Sequence, residues 1–152
     1  MNPAERDEIL ELLNRILEQE LAGVVRYTHY SFMVFGHSRI PIVSWFREQA
    51  AEALAHAQQA GELITHLGAY PSLSIGPLLD SHQTDIVTML RESLKTEDEA
   101  LGLYRRLLTL AEGRSVMIEE YARQMIYAEE MHAGEVDKML RRPGDTAGLA
   151  ER

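Results

Sequence analysis

A chain of 152 residues, 45% apolar and with only five prolines, is long enough for one domain with a substantial hydrophobic core. It has no cysteine, which excludes disulfides, zinc–thiolate knots, iron–sulfur clusters and cysteine nucleophiles, so any metal must be held by oxygen and nitrogen. The net charge of −9, with Lys95 and Lys138 the only lysines and no basic arm at either terminus, disfavours nucleic acid as a partner and favours cations.

The opening stretch carries acidic residues where a signal peptide would be basic, and no apolar run is long enough to cross a bilayer. The expectation is a cytoplasmic protein with no membrane partner. Apolar residues recur at spacings of three and four through four segments, and no run of strict alternation competes, so the fold class predicted is all-α.

The first helix opens with Asn2 as cap, Pro3 in the first turn and Glu5 completing a capping box. It carries the stripe Ile9, Leu12, Leu13, Ile16, Leu17, Leu21 and Val24, and runs to about Gly36. The second extends from about Pro41 to Leu67, with Trp45, Phe46, Ala53, Ala60, Leu63 and Ile64 near one face, and is stopped by Gly68 and Pro71. The third, from Ser81 to about Glu112, shows Ile86, Leu90, Leu94, Leu101, Tyr104 and Leu108. After Gly113 the fourth carries Ile118, Tyr121, Met125, Val136 and Met139, and Pro143 and Gly144 end it. Residues 1–142 are thus assigned to one bundle and 143–152 to a short flexible tail.

Short connections make helices one and two antiparallel, and likewise three and four. The intervening AYPSLSIGPLLDSH is fourteen residues long. Extended, it spans about 46–50 Å, against about 40 Å for a helix of this length, so it can return along the whole bundle. Two antiparallel pairs joined by one long crossover form the ferritin-like variant of the four-helix bundle.

What interrupts the stripes is informative. Glu20 lies within Leu13, Ile16, Leu17, Val24 and Tyr27, and Glu97 within Leu90, Leu94, Leu101 and Tyr104. Glu129 and His132 share a stripe with Met125 and Val136, and His56 shares one with Phe46, Ala60 and Leu63, with Glu52 or Ala53 beside it. Unpaired buried charges cost several kcal/mol each, and a divalent metal pair that carboxylates bridge and imidazoles cap would neutralise them. The Glu-to-Tyr spacing of helix one is repeated in helix three, and each is followed by a helix carrying Glu and His, so the chain reads as two copies of one helix pair.

At NRILEQELAGVVRY, AHAQQAGELITHLGAYPSL, MLRESLKTEDEA and YAEEMH the chain resembles the bacterioferritin branch of the ferritin-like superfamily, from about Glu8 to Leu140. That family places a Glu on the first and third helices and Glu-x-x-His on the second and fourth. Glu20, Glu97, Glu129, His132 and His56 match. The second helix departs from the pattern: Ala53 stands three residues before His56, and the nearest carboxylate, Glu52, stands four before it. A turn of helix keeps both spacings on one side, so Glu52 remains a candidate sixth ligand.

The resemblance implies a ferroxidase holding two irons per subunit, oxidising Fe²⁺ with O₂ or H₂O₂ and storing the product in a homo-oligomeric shell. Glu20 would terminate one metal and Glu97 the other or bridge the two, with Glu52 and Glu129 as bridges, His56 and His132 as caps, and Tyr27 and Tyr104 as candidate donors to the carboxylates. Where the haem-binding methionine of bacterioferritins would stand there is Leu54, so no haem is expected. No fifth helix follows the fourth, which favours a dodecamer like that of the Dps mini-ferritins. The rival expectations are a Dps-like, DNA-associated stress protein, which the acidic charge disfavours, and a rubrerythrin-like di-iron peroxidase, whose usual cysteine domain is missing. His29, His37, His66 and His82 are expected at the surface or in loops, with no partner pattern in the sequence to promote them to ligands.

Overall fold

The computed structural model describes residues 1–147; the end of the predicted tail, 148–152, lies outside the described residues. Four helices follow in order: α1 Pro3–Phe32, α2 Arg39–His66, α3 Ile86–Ala111 and α4 Val116–Leu140. No strand occurs among the described residues. None of the helices is long and apolar enough to cross a membrane.

The capping box at α1 is present in both halves: the Asn2 side chain accepts from the Glu5 amide, and Glu5 accepts from the Asn2 amide, each at 2.9 Å. α2 begins two residues earlier than Pro41 suggested, at Arg39, because a proline in the first turn lacks only an N–H that no carbonyl of the helix would receive. Its end is a Schellman turn in which Gly68 takes φ +78° and the amides of Gly68 and Ala69 return to Thr65 and Ile64. α3 begins five residues later than Ser81. Asp85 is the cap, accepting from the Thr88 amide at 3.0 Å and its hydroxyl at 2.7 Å, so 81–84 remain in the crossover.

The crossover is stitched to α1 along its length. Leu67 O accepts from Arg6, Ser72 N donates to Asn14 Oδ1 at 2.7 Å, and Gly76 N donates to Glu18 O at 2.7 Å. A Cβ at Gly76 would stand 3.1 Å from that carbonyl and 3.3 Å from Gln19 Cα, so this close approach needs glycine. The segment therefore travels in the direction of α1 and delivers α3 antiparallel to it, as Tyr30–Glu92 near one end and Glu5–Arg114 near the other confirm. The two antiparallel pairs and long crossover expected from loop lengths are thus observed.

The core falls into two apolar blocks. One gathers Leu13, Ile16, Ile64, Leu107 and Ile118; the other gathers Phe46, Val43, Met89, Leu90 and Val136. Between them lies a layer whose buried members include Glu20, His56 and Glu129. Two hydrophobic plugs thus fix all four helices on either side of a polar waist.

Candidate metal centre

All six predicted residues line one narrow cavity of about 10 Å³ at this waist, together with Gln49 and Ala53. Glu20 Oε2 lies 3.6 Å from His56 Nδ1, and Glu129 Oε1 lies 3.4 Å from the same nitrogen. One donor atom from each of Glu20, His56 and Glu129 falls within 4.8 Å of the others, a set compact enough for a single ion. On the other side of the cavity, Glu97 Oε1 is 3.8 Å from His132 Nε2.

Two tyrosines tie the halves together crosswise. Tyr104 of α3 donates to Glu20 of α1 at 2.8 Å, and Tyr27 of α1 donates to Glu97 of α3 at 2.6 Å. The repeated Glu-to-Tyr spacing therefore reflects a reciprocal pair of hydrogen bonds between antiparallel helices. His132 Nε2 stands 3.1 Å from the Tyr27 hydroxyl, whose proton already points at Glu97, so in this geometry the imidazole N–H donates.

Glu52 is placed differently from the rest. Its side chain is 47% exposed, against 5–12% for the other five, and it stands at the cavity mouth with Oε1 3.7 Å from His56 Nε2. Ala53, at the position where the motif would carry a carboxylate, is buried, and a Cβ built on Gly23 would be only 3.5 Å from its own. Small residues at both positions let α1 and α2 approach closely just beside the cavity.

Burial and mutual contact set the proton inventory. Burial alone would depress His56, but contact with Glu129 and Glu20 outweighs it and holds the imidazole up at about 10. Burial raises Glu129 to about 10, assisted by a hydrogen bond shared with Glu97. Glu20 is raised, chiefly by burial. Burial also pushes Glu97 upward, yet the hydrogen bond from Glu129, the neighbouring His132 and Tyr27 leave it lowered overall. Without metal the waist is therefore a proton-holding network; with buried carboxylates facing imidazoles, its donor set suits a divalent cation.

Sequence reasoning missed Trp45, which stacks on His132 with ring centroids 5.7 Å apart and planes 9° from parallel. Its apolar spacing placed it in the core stripe of α2, and no pattern within one helix could assign it to a histidine on α4. Among the remaining histidines, two form a pair to which no sequence pattern pointed. His29 is half-buried on α1 and His82 is exposed in the crossover, but their rings meet with Nε2 and Nδ1 3.3 Å apart. The crossover's course along α1 brings them together, which sequence spacing cannot show.

A four-helix bundle with one long crossover and a waist of carboxylates and imidazoles supplied by every helix defines the ferritin-like class. The chain belongs to the ferritin family: the ferritin-like domain model matches residues 10–143. Among solved structures it is similar to a ferritin-like, diiron-carboxylate protein from Bacillus anthracis, with 25% identity, a TM-score of 0.84 and coverage of 93% of this chain and 100% of that one. A dodecameric thioferritin, the bacterioferritin-related protein from Bacteroides fragilis, aligns with 21% identity, TM-score 0.80 and coverage of 89% and 85%. The Dps protein from Vibrio cholerae aligns with 16% identity, TM-score 0.83 and coverage of 93% and 94%. No curated protein sequence matches the chain.

Proposed function

We propose that this protein oxidises Fe²⁺ at a two-iron centre within each subunit, using O₂ or H₂O₂, and sequesters the ferric product in an oligomeric shell. The observation that carries this reading is the convergence of Glu20, His56, Glu97, Glu129 and His132 in a buried layer between two apolar blocks.

In this reading Glu20 and His56 hold one ferrous ion, Glu97 and His132 the other, and Glu129 stands between them. Two ferrous ions bound side by side each give one electron to the oxidant, which a single ion cannot do in one step. The protein's own part is acid–base and positional. Glu129 and His56 release protons as the cations arrive, leaving the waist with compensating negative charge. Tyr104 and Tyr27 hold the Glu20 and Glu97 carboxylates in place. The apolar blocks keep bulk water from the centre, and Glu52 at the mouth meets incoming cations and faces the outer nitrogen of His56.

The assembly proposed is a dodecamer, as the Bacteroides fragilis relative is described, with residues 1–142 as the assembling unit, and its proposed location is the cytoplasm. Leu54, 43% exposed on α2, offers no axial ligand, so the shell is proposed to carry no haem. Anaerobic Fe²⁺ titration followed by air tests the proposal. Two tight ferrous ions per chain, a ferric absorbance rise on oxygenation and iron retained by the particle in gel filtration are expected. Oxidation without retention would shift the reading to a peroxidase, and the absence of both would end it.

A further inference from the structure

We propose a second binding site, for a small tetrahedral oxyanion such as phosphate or sulfate, in a cleft of about 170 Å³ between α1 and the crossover. Arg26 is the reason. Its residue is only 7% exposed, its Nε is buried with no hydrogen-bond partner, and no carboxylate comes within ion-pair distance of the guanidinium among the described residues. Its recorded contact is a stacked approach to the Tyr27 ring at 5.5 Å, which attracts a cation without satisfying its N–H groups.

The buried Nε–H is left without an acceptor, and the terminal amino groups make no hydrogen bond or ion pair with the described residues, so the guanidinium keeps donors to offer a ligand although its charge is felt by Glu97. Arg26 lines the cleft, so a ligand there can supply what the protein withholds.

The His29–His82 pair lines the same cleft, with His29 one turn along α1 from Arg26. Whichever ring carries the proton between them, neutral tautomers leave the pair one outward N–H. An arginine and an imidazole N–H lining one cleft match an oxyanion, and the forked guanidinium suits a tetrahedral group with two oxygens on one edge. Asp80 at the rim is exposed and offers an anion nothing. A cation would have to lodge beside an unpaired arginine with only two nitrogen ligands, since the described residues yield no three-ligand cluster here.

The test is titration of the full-length, metal-free, assembled protein with inorganic phosphate, followed by calorimetry and ³¹P line broadening. Saturable binding of one phosphate per chain, competed by sulfate and not by equimolar chloride, is expected. Arg26→Gln should weaken it at least ten-fold, with Arg26→Lys recovering part of the loss. Arg26 packs in the interior, so His82→Ala in the exposed crossover is the independent probe, with a loss of several-fold expected in a chain whose thermal melt is unchanged. Non-saturating phosphate binding, or binding indifferent to both substitutions, would overturn the proposal. So would Zn²⁺ binding that is lost in His82→Ala while phosphate binds nowhere.

Discussion

α2 and α4 bring the same chemistry to the waist with different completeness. α4 supplies Glu129 and His132 one turn apart, both facing inward, and clamps the imidazole between the Tyr27 hydroxyl and the face of Trp45. α2 supplies His56 alone from inside; at the matching position Ala53 packs where α1 approaches, and the nearest carboxylate is Glu52 at the solvent edge. The two half-sites repeat one motif spacing, but the α4 imidazole is buttressed by a hydroxyl and an indole face, whereas beside the α2 imidazole stands the half-exposed Glu52 side chain. The difference teaches that a helix pair can keep its fold while one carboxylate stands at the cavity mouth instead of inside the buried waist.

The strongest way to break the comparison is to remove the one inward carboxylate that faces both halves. Glu129→Ala should lower single-turnover Fe²⁺ oxidation by more than about 100-fold, since losing merely a supporting partner of a ligand costs 10–100-fold. Helicity by circular dichroism should hold, because the substitution relieves a buried acid that burial already keeps protonated up to about 10. A large loss of helicity would mean the waist is a structural network and no ferroxidase centre.

Acidity probes both halves together. His56 and Glu129 are raised to about 10 in the folded chain, from ordinary values of 6.5 and 4.5. The folded state thus holds more protons than the unfolded one. Their contribution to stability is full below the unfolded values and is lost as pH climbs toward 10. Metal-free protein should melt at lower temperature at pH 9.5 than at pH 7, whereas apparent Fe²⁺ or Zn²⁺ affinity should rise with pH, by up to about ten-fold per unit for each proton displaced. Calorimetric proton release in two buffers of different ionisation enthalpy would count those protons directly, and a metal-free melt that rises toward pH 9.5 would contradict the inventory.

Glu52→Ala sharpens the asymmetry further. If the mouth carboxylate serves the α2 half, its loss should weaken one of the two ferrous ions by about ten-fold, in line with an outer partner of a ligating histidine, and leave the other unchanged. Equal weakening of both would make Glu52 a shared bridge.

The bundle was legible because its periods, caps and loop lengths agree: the stripe from Ile9 to Val24 lies on one buried or half-buried face, and Gly68 ends α2 as a turn glycine should. The inward acids were legible for the opposite reason, since Glu20 and Glu129 violate an otherwise apolar stripe. The rest depends on contacts between distant segments. Asp85 was hidden as a cap because Ser81 to Thr84 are equally plausible starters, and only the hydrogen bond to Thr88 chooses between them. Trp45 against His132 and His29 against His82 are meetings that helix packing decides. The direction in which Glu52 turns is settled by the close approach of Gly23 and Ala53, which no spacing on α2 encodes.

The two tyrosines offer the smallest and most discriminating comparison. Tyr104 touches one site group, Glu20, whereas Tyr27 touches two, Glu97 and His132. Deleting one hydrogen bond to a charged acceptor is worth about 1.5–3 kcal/mol at most, and exposure or rearrangement usually shrinks it. Tyr104→Phe should therefore slow Fe²⁺ oxidation by only a few-fold, and Tyr27→Phe by about ten-fold, with both chains retaining their fold since the rings still fill the same apolar volume. Single-turnover ferric absorbance in matched protein preparations measures the pair. The order is the informative result: a larger effect at Tyr27 means the buttressed α3–α4 half limits the reaction, and a larger effect at Tyr104 would move control to the open half, where Glu20 and His56 share their ion with Glu52 at the mouth.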